Sequence, residues 1–298
     1  VSGSLAERLG FGPTERVAIV HGDDIGLCHA ANAGAFQALR AGPVTCGSLM
    51  VPCPGFAEAA AWARAEPEHD LGVHLTLTAE WERWRWGPVA DPAAVPSLLD
   101  AEGFLPRTAQ ECVAHARVDE VEIELRAQIE RALAEGIDVT HLDAHMGVVL
   151  MPPLIDVYVR LALDYRLPVF AIRPDAAALA ALGRPDAAGA IRRALDALES
   201  GGVPILDGFD ADSLGFAPGD GEAHNRRRLA GLGRGVSYLI CHPAQGGDEL
   251  AAITTDAHAR EFERTFYGGE AGRRALAEAG IRTLGMRPLR QLLRSGQA

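Results

Sequence analysis

The chain has 298 residues, 48% of them hydrophobic and 23% charged, with a formal net charge of -12. That length allows one large α/β domain or two smaller ones, and the acidic balance argues against nucleic acid or an anionic membrane as the main partner. All 28 basic residues are Arg, which excludes a Schiff-base, P-loop or other catalytic lysine.

Residues 5–9 read as a short helix, and Arg16–His21 as an apolar strand. The strand runs directly into Asp23 and Asp24, followed by Gly26 and a helical pattern over 28–41. Two adjacent carboxylates at the end of a buried strand repel one another and are costly to desolvate unless a cation or hydrogen bonds compensate. A metal site is the economical reading. Thr45–Val51 predicts a second strand, Phe56–Ala65 an Ala-rich helix, and Leu71–Leu77 a third strand carrying His74.

The alternation then breaks. Residues 79–118 contain Trp81, Trp84, Trp86 and several prolines without sustained periodicity, which reads as a lid or rim insertion. The three indoles either pin this segment onto the core or offer a stacking platform for a sugar ring. Val118–Glu135 predicts an amphipathic helix closed by Gly136, and Asp138–His145 a fourth strand. A helix over Pro153–Tyr165 and a strand over Pro168–Arg173 follow, then an Ala-rich helical stretch over 175–201 and a strand at Val203–Leu206. The remainder reads as a helix near 222–233, a strand at Val236–His242, helices near 256–266 and 270–279, a short strand over Ile281–Met286, and a helix from Pro288.

Apolar strands alternating with helices indicate a parallel sheet covered by helices. Seven or eight such units favour a TIM-like (β/α) barrel over an open sheet, in a single domain spanning 1–298, with closure incomplete or distorted. The five cysteines show no CxxC spacing, so a disulfide framework or Cys₄ site is not expected. No apolar run is long enough to span a membrane and no signal-peptide pattern is visible, so a cytoplasmic enzyme is the default expectation. Val1 in place of Met leaves open that a leader was removed.

Polar residues recur where strands end: Asp23 and Asp24, His74, then His141, Asp143 and His145, Arg173, and His242. In parallel α/β folds that face carries the active site. On a strand, a period of two places His141, Asp143 and His145 on one side. A satisfied core histidine is the ordinary alternative for His74 and His242, but the coincidence of so many strand-end positions outweighs it. His21, His29, His69, His115, His224 and His258 read as surface or supporting residues, and Arg226–Arg228 as a solvated helix face.

Together the segments Asp23-Asp24-Ile-Gly-Leu, Gly42-Pro-Val-Thr-Cys-Gly-Ser48-Leu-Met-Val, Gly72-Val-His74-Leu, Thr140-His141-Leu-Asp143-Ala-His145 and Cys241-His242-Pro-Ala resemble the YdjC/ChbG-like carbohydrate deacetylases, in the family's order. Two departures stand out: His21-Gly22 where the family commonly has Asn-Ala, and Met146-Gly147-Val148 where it continues His-rich.

The resemblance implies removal of an N-acetyl group from an amino sugar or related glycoconjugate. It also implies a divalent ion held by Asp24, His74 and His145. Magnesium is the family's usual metal, but two imidazoles suit zinc, cobalt or iron as well. The same resemblance suggests Asp23 as general base, His242 as general acid and Arg173 as the clamp on Asp23, with His141 and Asp143 supporting the ligands or binding substrate. The partner implied is a small carbohydrate, with no nucleic acid and no membrane, and a homodimer is a candidate assembly. Two other classes compete. A sugar isomerase or epimerase on a similar barrel would ordinarily use more carboxylates and often a Lys. A non-catalytic carbohydrate-binding protein would be expected to lack a base or a ligand.

Overall fold

The computed structural model describes residues 3–173 and 185–296. Seven parallel strands form one sheet: β1 (Arg16–Ile25), β2 (Cys46–Leu49), β3 (Asp70–Leu75), β4 (Val139–Ala144), β5 (Gly208–Asp210), β6 (Gly235–Cys241) and β7 (Ile281–Thr283). Their order is β4-β3-β2-β1-β6-β5, with β7 also paired to β1. Isolated bridges Leu142–Val169 and Ile172–Leu206 join the two ends of that order. Phe170 N donates to Leu142 O at 3.1 Å, and Leu206 N to Ala171 O at 2.9 Å, which closes the ring. The result is a distorted TIM-like (β/α) barrel.

The distortions have identifiable causes. The strands expected at 168–173 and 203–206 are reduced to single bridges; Pro168 and Pro204 each lack the N–H that a continuous ladder needs. The last strand is also shorter than expected, and it is no eighth stave. β7 pairs with Arg16–Ala18, while β2 pairs with the same strand from His21 onward, so the two divide its length. Of the helical stretch expected over 175–201, Pro185–Ser200 is a helix and the preceding part lies outside the described residues.

Period-two alternation sets what faces inward. On β1, Ala18 and Val20 join the large core between sheet and helices, whereas Val17 and Ile19 join the smaller one inside the barrel. Leu206, Val236, Tyr238 and Cys46 complete this apolar floor, which Leu5, Met286 and Leu289 seal from below. The same phase carried upward puts His21 and Asp23 inside, above Ile19. Gly72 on β3 is required by a close approach: a Cβ there would stand 2.7 Å from the His141 ring.

Residues 79–118 contain two short 3₁₀ turns and the helix Ala109–His115. Carboxylates on the helix Val118–Ala134 tie the segment down. Glu124 accepts from the backbone N–H groups of Val89 at 3.0 Å and Ala90 at 2.8 Å, and Glu120 from that of Ser97 at 2.7 Å.

Candidate functional site

At the upper end of the barrel, Asp23, Asp24, His74, His145 and His242 line one cavity of about 590 Å³. Strand geometry alone would send Asp23 and Asp24 to opposite faces. A register shift between β1 and β2 after Gly22, with Asp24 at φ 63°, turns both into the cavity. A non-glycine residue held in the left-handed region is strained, and such strain gathers at functional sites.

Asp24 is buried, and its two oxygens have different surroundings. Oδ2 accepts from Arg260 Nη1 at 2.7 Å, whereas Oδ1 has no hydrogen-bond partner among the described residues. Burial alone would raise this carboxyl's pKa; the Arg260 guanidinium, with the rings of His145 and His242, outweighs it and holds the group well below the usual carboxylate range. Two ring nitrogens face the orphaned oxygen, His74 Nε2 at 3.6 Å and His145 Nδ1 at 3.4 Å. Each ring is held from behind by an acid. His74 Nδ1 lies 2.8 Å from Asp143 Oδ1 and His145 Nε2 lies 2.9 Å from Glu80 Oε1. Carboxylates behind both rings direct a nitrogen lone pair from each into the site. One ionised oxygen and two imidazole nitrogens make a donor set for a divalent ion with open coordination positions, so these residues fit a metal. Burial opposes charge on His145, but Glu80 and Asp24 outweigh it and push the ring up to about 10, so an ion taken up here would displace a proton from this ring to free its lone pair.

Asp23 stands beside this triad. Its Oδ2 is 3.8 Å from both His74 Nε2 and His242 Nε2. His242 Nδ1 is 2.8 Å from Ser213 Oγ, which donates to Glu263 Oε2 at 2.6 Å. Arg228 Nη1 donates to the other oxygen of Glu263 at 3.0 Å. Burial lowers the pKa of His242 and raises that of Glu263 to about 7.

The inward residues of β4 lie deeper. Asp143 accepts from Ser48 Oγ at 2.9 Å as well as from His74, and Tyr238 Oη lies 3.3 Å away. His141 is wholly buried, 2.9 Å from His21, and burial pulls its pKa down to about 3. Of the three indoles only Trp81 lines the cavity. Trp84 Nε1 donates to Leu27 O at 3.0 Å and pins the rim, and Trp86 is buried.

Arg173 corrects the expectation. It is more than half exposed and paired with Glu199, and it does not line the cavity that holds Asp23. Among the described residues its segment makes only isolated bridges, and no regular ladder there carries its side chain to the barrel mouth. Asp23 is gripped instead by His21, a fully buried ring whose Nδ1 lies 2.6 Å from Asp23 Oδ1. The guanidinium of the site is Arg260, which also bonds Asp256 one helical turn before it at 2.7 Å. Period two, applied backward from Asp23, was the signal that could have found His21. Glu80 and Arg260 carry no comparable mark in the sequence.

A family model described as YdjC-like protein matches residues 17–278. A carbohydrate deacetylase of Thermus thermophilus is 39% identical over 278 residues, covering 92% of this chain and 94% of its own. A carbohydrate deacetylase of Geobacillus stearothermophilus is 30% identical over 280 residues, covering 93% of this chain and 99% of its own. Among solved structures, an Enterococcus faecalis protein described as a cellobiose-phosphate cleavage protein superposes with a TM-score of 0.75. It is 23% identical and covers 93% of this chain and 99% of its own, a likeness of fold.

Proposed function

The chain belongs to the YdjC-like family, and on that premise we propose that it is a metal-dependent hydrolase removing an N-acetyl group from an acetylated amino sugar or related glycoconjugate. The observation that carries the reading is the orphaned Asp24 Oδ1 facing His74 and His145, with Asp23 and His242 alongside. Two relatives spanning nearly the whole chain, both named carbohydrate deacetylase, support the substrate class.

Asp24, His74 and His145 would hold the ion. The chemistry a divalent ion supplies in such a site is Lewis acidity, acidifying a water and polarising a carbonyl. Asp23 takes a proton from the attacking water through Oδ2, the oxygen that faces the cavity, as the new C–O bond forms. His242, in its protonated form, gives Nε2–H to the leaving nitrogen as the C–N bond breaks, releasing acetate and a free amine. Its Nδ1–H remains on Ser213, so the ring keeps its orientation through the transfer. Acid and base partners of this kind each contribute about 10²–10⁴ in rate. Trp81 offers a flat wall for a sugar ring beside His145, with ring centroids 6.4 Å apart.

One carboxylate and two imidazoles suit zinc, cobalt or iron at least as well as magnesium. The test is acetate release from N-acetylated oligosaccharides by protein stripped with a chelator and reloaded with each ion in turn. The reading requires metal-restored release that falls at least about 100-fold in Asp23→Asn and in His242→Gln. Release that ignores the chelator, or no release from any N-acetylated sugar tried, overturns it.

A further inference from the structure

We propose that His21 is the positioning residue of the catalytic carboxylate: it fixes Asp23 Oδ1 so that Oδ2 alone is presented to the attacking water. The proposal rests on the reading of Asp23 as the base.

An aspartate carboxyl turns about its Cβ–Cγ bond, and its two oxygens are chemically alike until something distinguishes them. Here His21 Nδ1 lies 2.6 Å from Oδ1, while Oδ2 lies 3.8 Å from the rings of His74 and His242, on the cavity side. His21 itself has little freedom. Its ring is wholly buried and stacks on Tyr238 with centroids 4.7 Å apart. Its far nitrogen, Nε2, meets His141 Nε2 at 2.9 Å, and His141 Nδ1 meets Thr140 Oγ1 at 2.9 Å.

These contacts fit one direction of donation. A carboxylate only accepts, so the hydrogen in the first contact belongs to His21 Nδ1. His141 is held neutral by burial, and with its Nδ1 on the Thr140 hydroxyl its hydrogen stands on Nε2, so His21 Nε2 is the lone pair that accepts it. His141 Nδ1 in turn accepts from the Thr140 hydroxyl. Three donors point one way and end on Asp23 Oδ1. Asp143 Oδ2 stands 3.4 Å from His21 Nε2, farther than His141, and already accepts from Ser48 at 2.9 Å. A base held in one rotamer before substrate arrives spends no part of the barrier on finding its orientation.

The test compares His21→Leu, which removes the bond, with His21→Asn, whose amide can donate from the position of Nδ1. Asp23→Asn serves as the reference. Acetate release should show kcat down about 10–100-fold in His21→Leu, the usual loss for a supporting partner, with KM within about twofold of the parent. His21→Asn should recover most of that loss. Long-range ¹H–¹⁵N spectra of the parent, labelled at histidine, should give the Nδ1–H tautomer for His21 and Nε2–H for His141, and they decide the matter if His21→Leu does not fold.

An inactive Asp23→Asn beside a His21→Leu variant with the parent's kcat overturns the positioning role while leaving the base in place. An Nε2–H tautomer at His21 does the same. So does a parent holding two ions per chain where His21→Leu holds one, because the His21, His141 and Cys46 side chains would then be gathered around a metal. Full activity in Asp23→Asn removes the base assignment, and this proposal with it.

Discussion

His74 Nδ1 and Asp143 Oδ1 lie 2.8 Å apart, and this contact decides what His74 can offer the cavity. With its proton-bearing nitrogen turned to the acid, the ring presents Nε2 as a lone pair beside Asp24. Asp24→Ala and His145→Ala should therefore abolish tight metal binding, each by deleting a donor. Asp143→Asn should keep the ion but bind it about 10–100-fold more weakly, because only the ring's orientation is lost. Metal analysis after dialysis, with calorimetric titration of stripped protein, separates the two grades of effect. Equal metal content in all three variants and the parent would remove the triad as the site.

Two arginines exchange the importance that sequence position suggests. Arg173 forms a surface pair with Glu199, and such pairs contribute about 0–1 kcal/mol. Arg173→Gln should leave acetate release within about twofold of the parent. Arg260→Gln leaves Asp24 a buried charge without its partner, a change that costs about 3–5 kcal/mol in comparable pairs. It should lower the melting temperature, more in the stripped protein than with an ion bound to compensate Asp24. Thermal melts with and without metal read both.

The aromatic rim divides in the same manner. Trp81 faces the cavity, whereas Trp84 is bonded to the backbone of Leu27. Trp81→Ala should raise KM for an oligosaccharide with kcat changed little, since a stacking wall binds substrate and transition state alike. Trp84→Phe keeps the apolar bulk and loses one indole bond, so its cost should be about 1 kcal/mol of stability with KM unaltered. A fall in kcat with unchanged KM in Trp81→Ala would place that indole nearer the chemistry.

Glu263 gives a pH dependence of definite sign. Burial lifts its folded-state pKa from 4.5 to about 7. Between those values the folded protein binds a proton that the unfolded chain has released. The group's contribution is therefore full at low pH and is lost as pH rises through the folded pKa. Glu263→Gln removes this titration. Denaturant unfolding from pH 5 to 8 should show the variant gaining stability relative to the parent as pH rises; a constant difference would contradict the assignment.

The sequence made legible those features that depend on alternation and on chain order. His141 and Asp143 share one inward face because a strand repeats every two residues, and His74 and His242 stand at strand ends as their apolar flanks imply. The bulge at Asp24 was not legible: it depends on a register shift between two strands, which only pairing reveals. Arg260 was hidden for a related reason, since its helix lies more than 200 residues from Asp24 along the chain and meets it only in three dimensions. Arg173 misled because strand-end position stood in for ladder continuity. With Pro168 and Pro204 interrupting the pairing on that side, the analogy with the other strands fails.

That interruption has a mechanical consequence. A barrel resists opening in proportion to the bonds along each of its seams, and here they are unequal. Between β1 and β6 seven residue pairs are in register, whereas single bridges hold Leu142 to Val169 and Ile172 to Leu206. Thermal fluctuation should concentrate where the fewest bonds must break at once. Amide protons of Phe170 and Leu206 should exchange with solvent well before those of Ile19 and Leu239, and the wall of the cylinder would part on the side away from Asp23 while the rungs around the ligands stay whole.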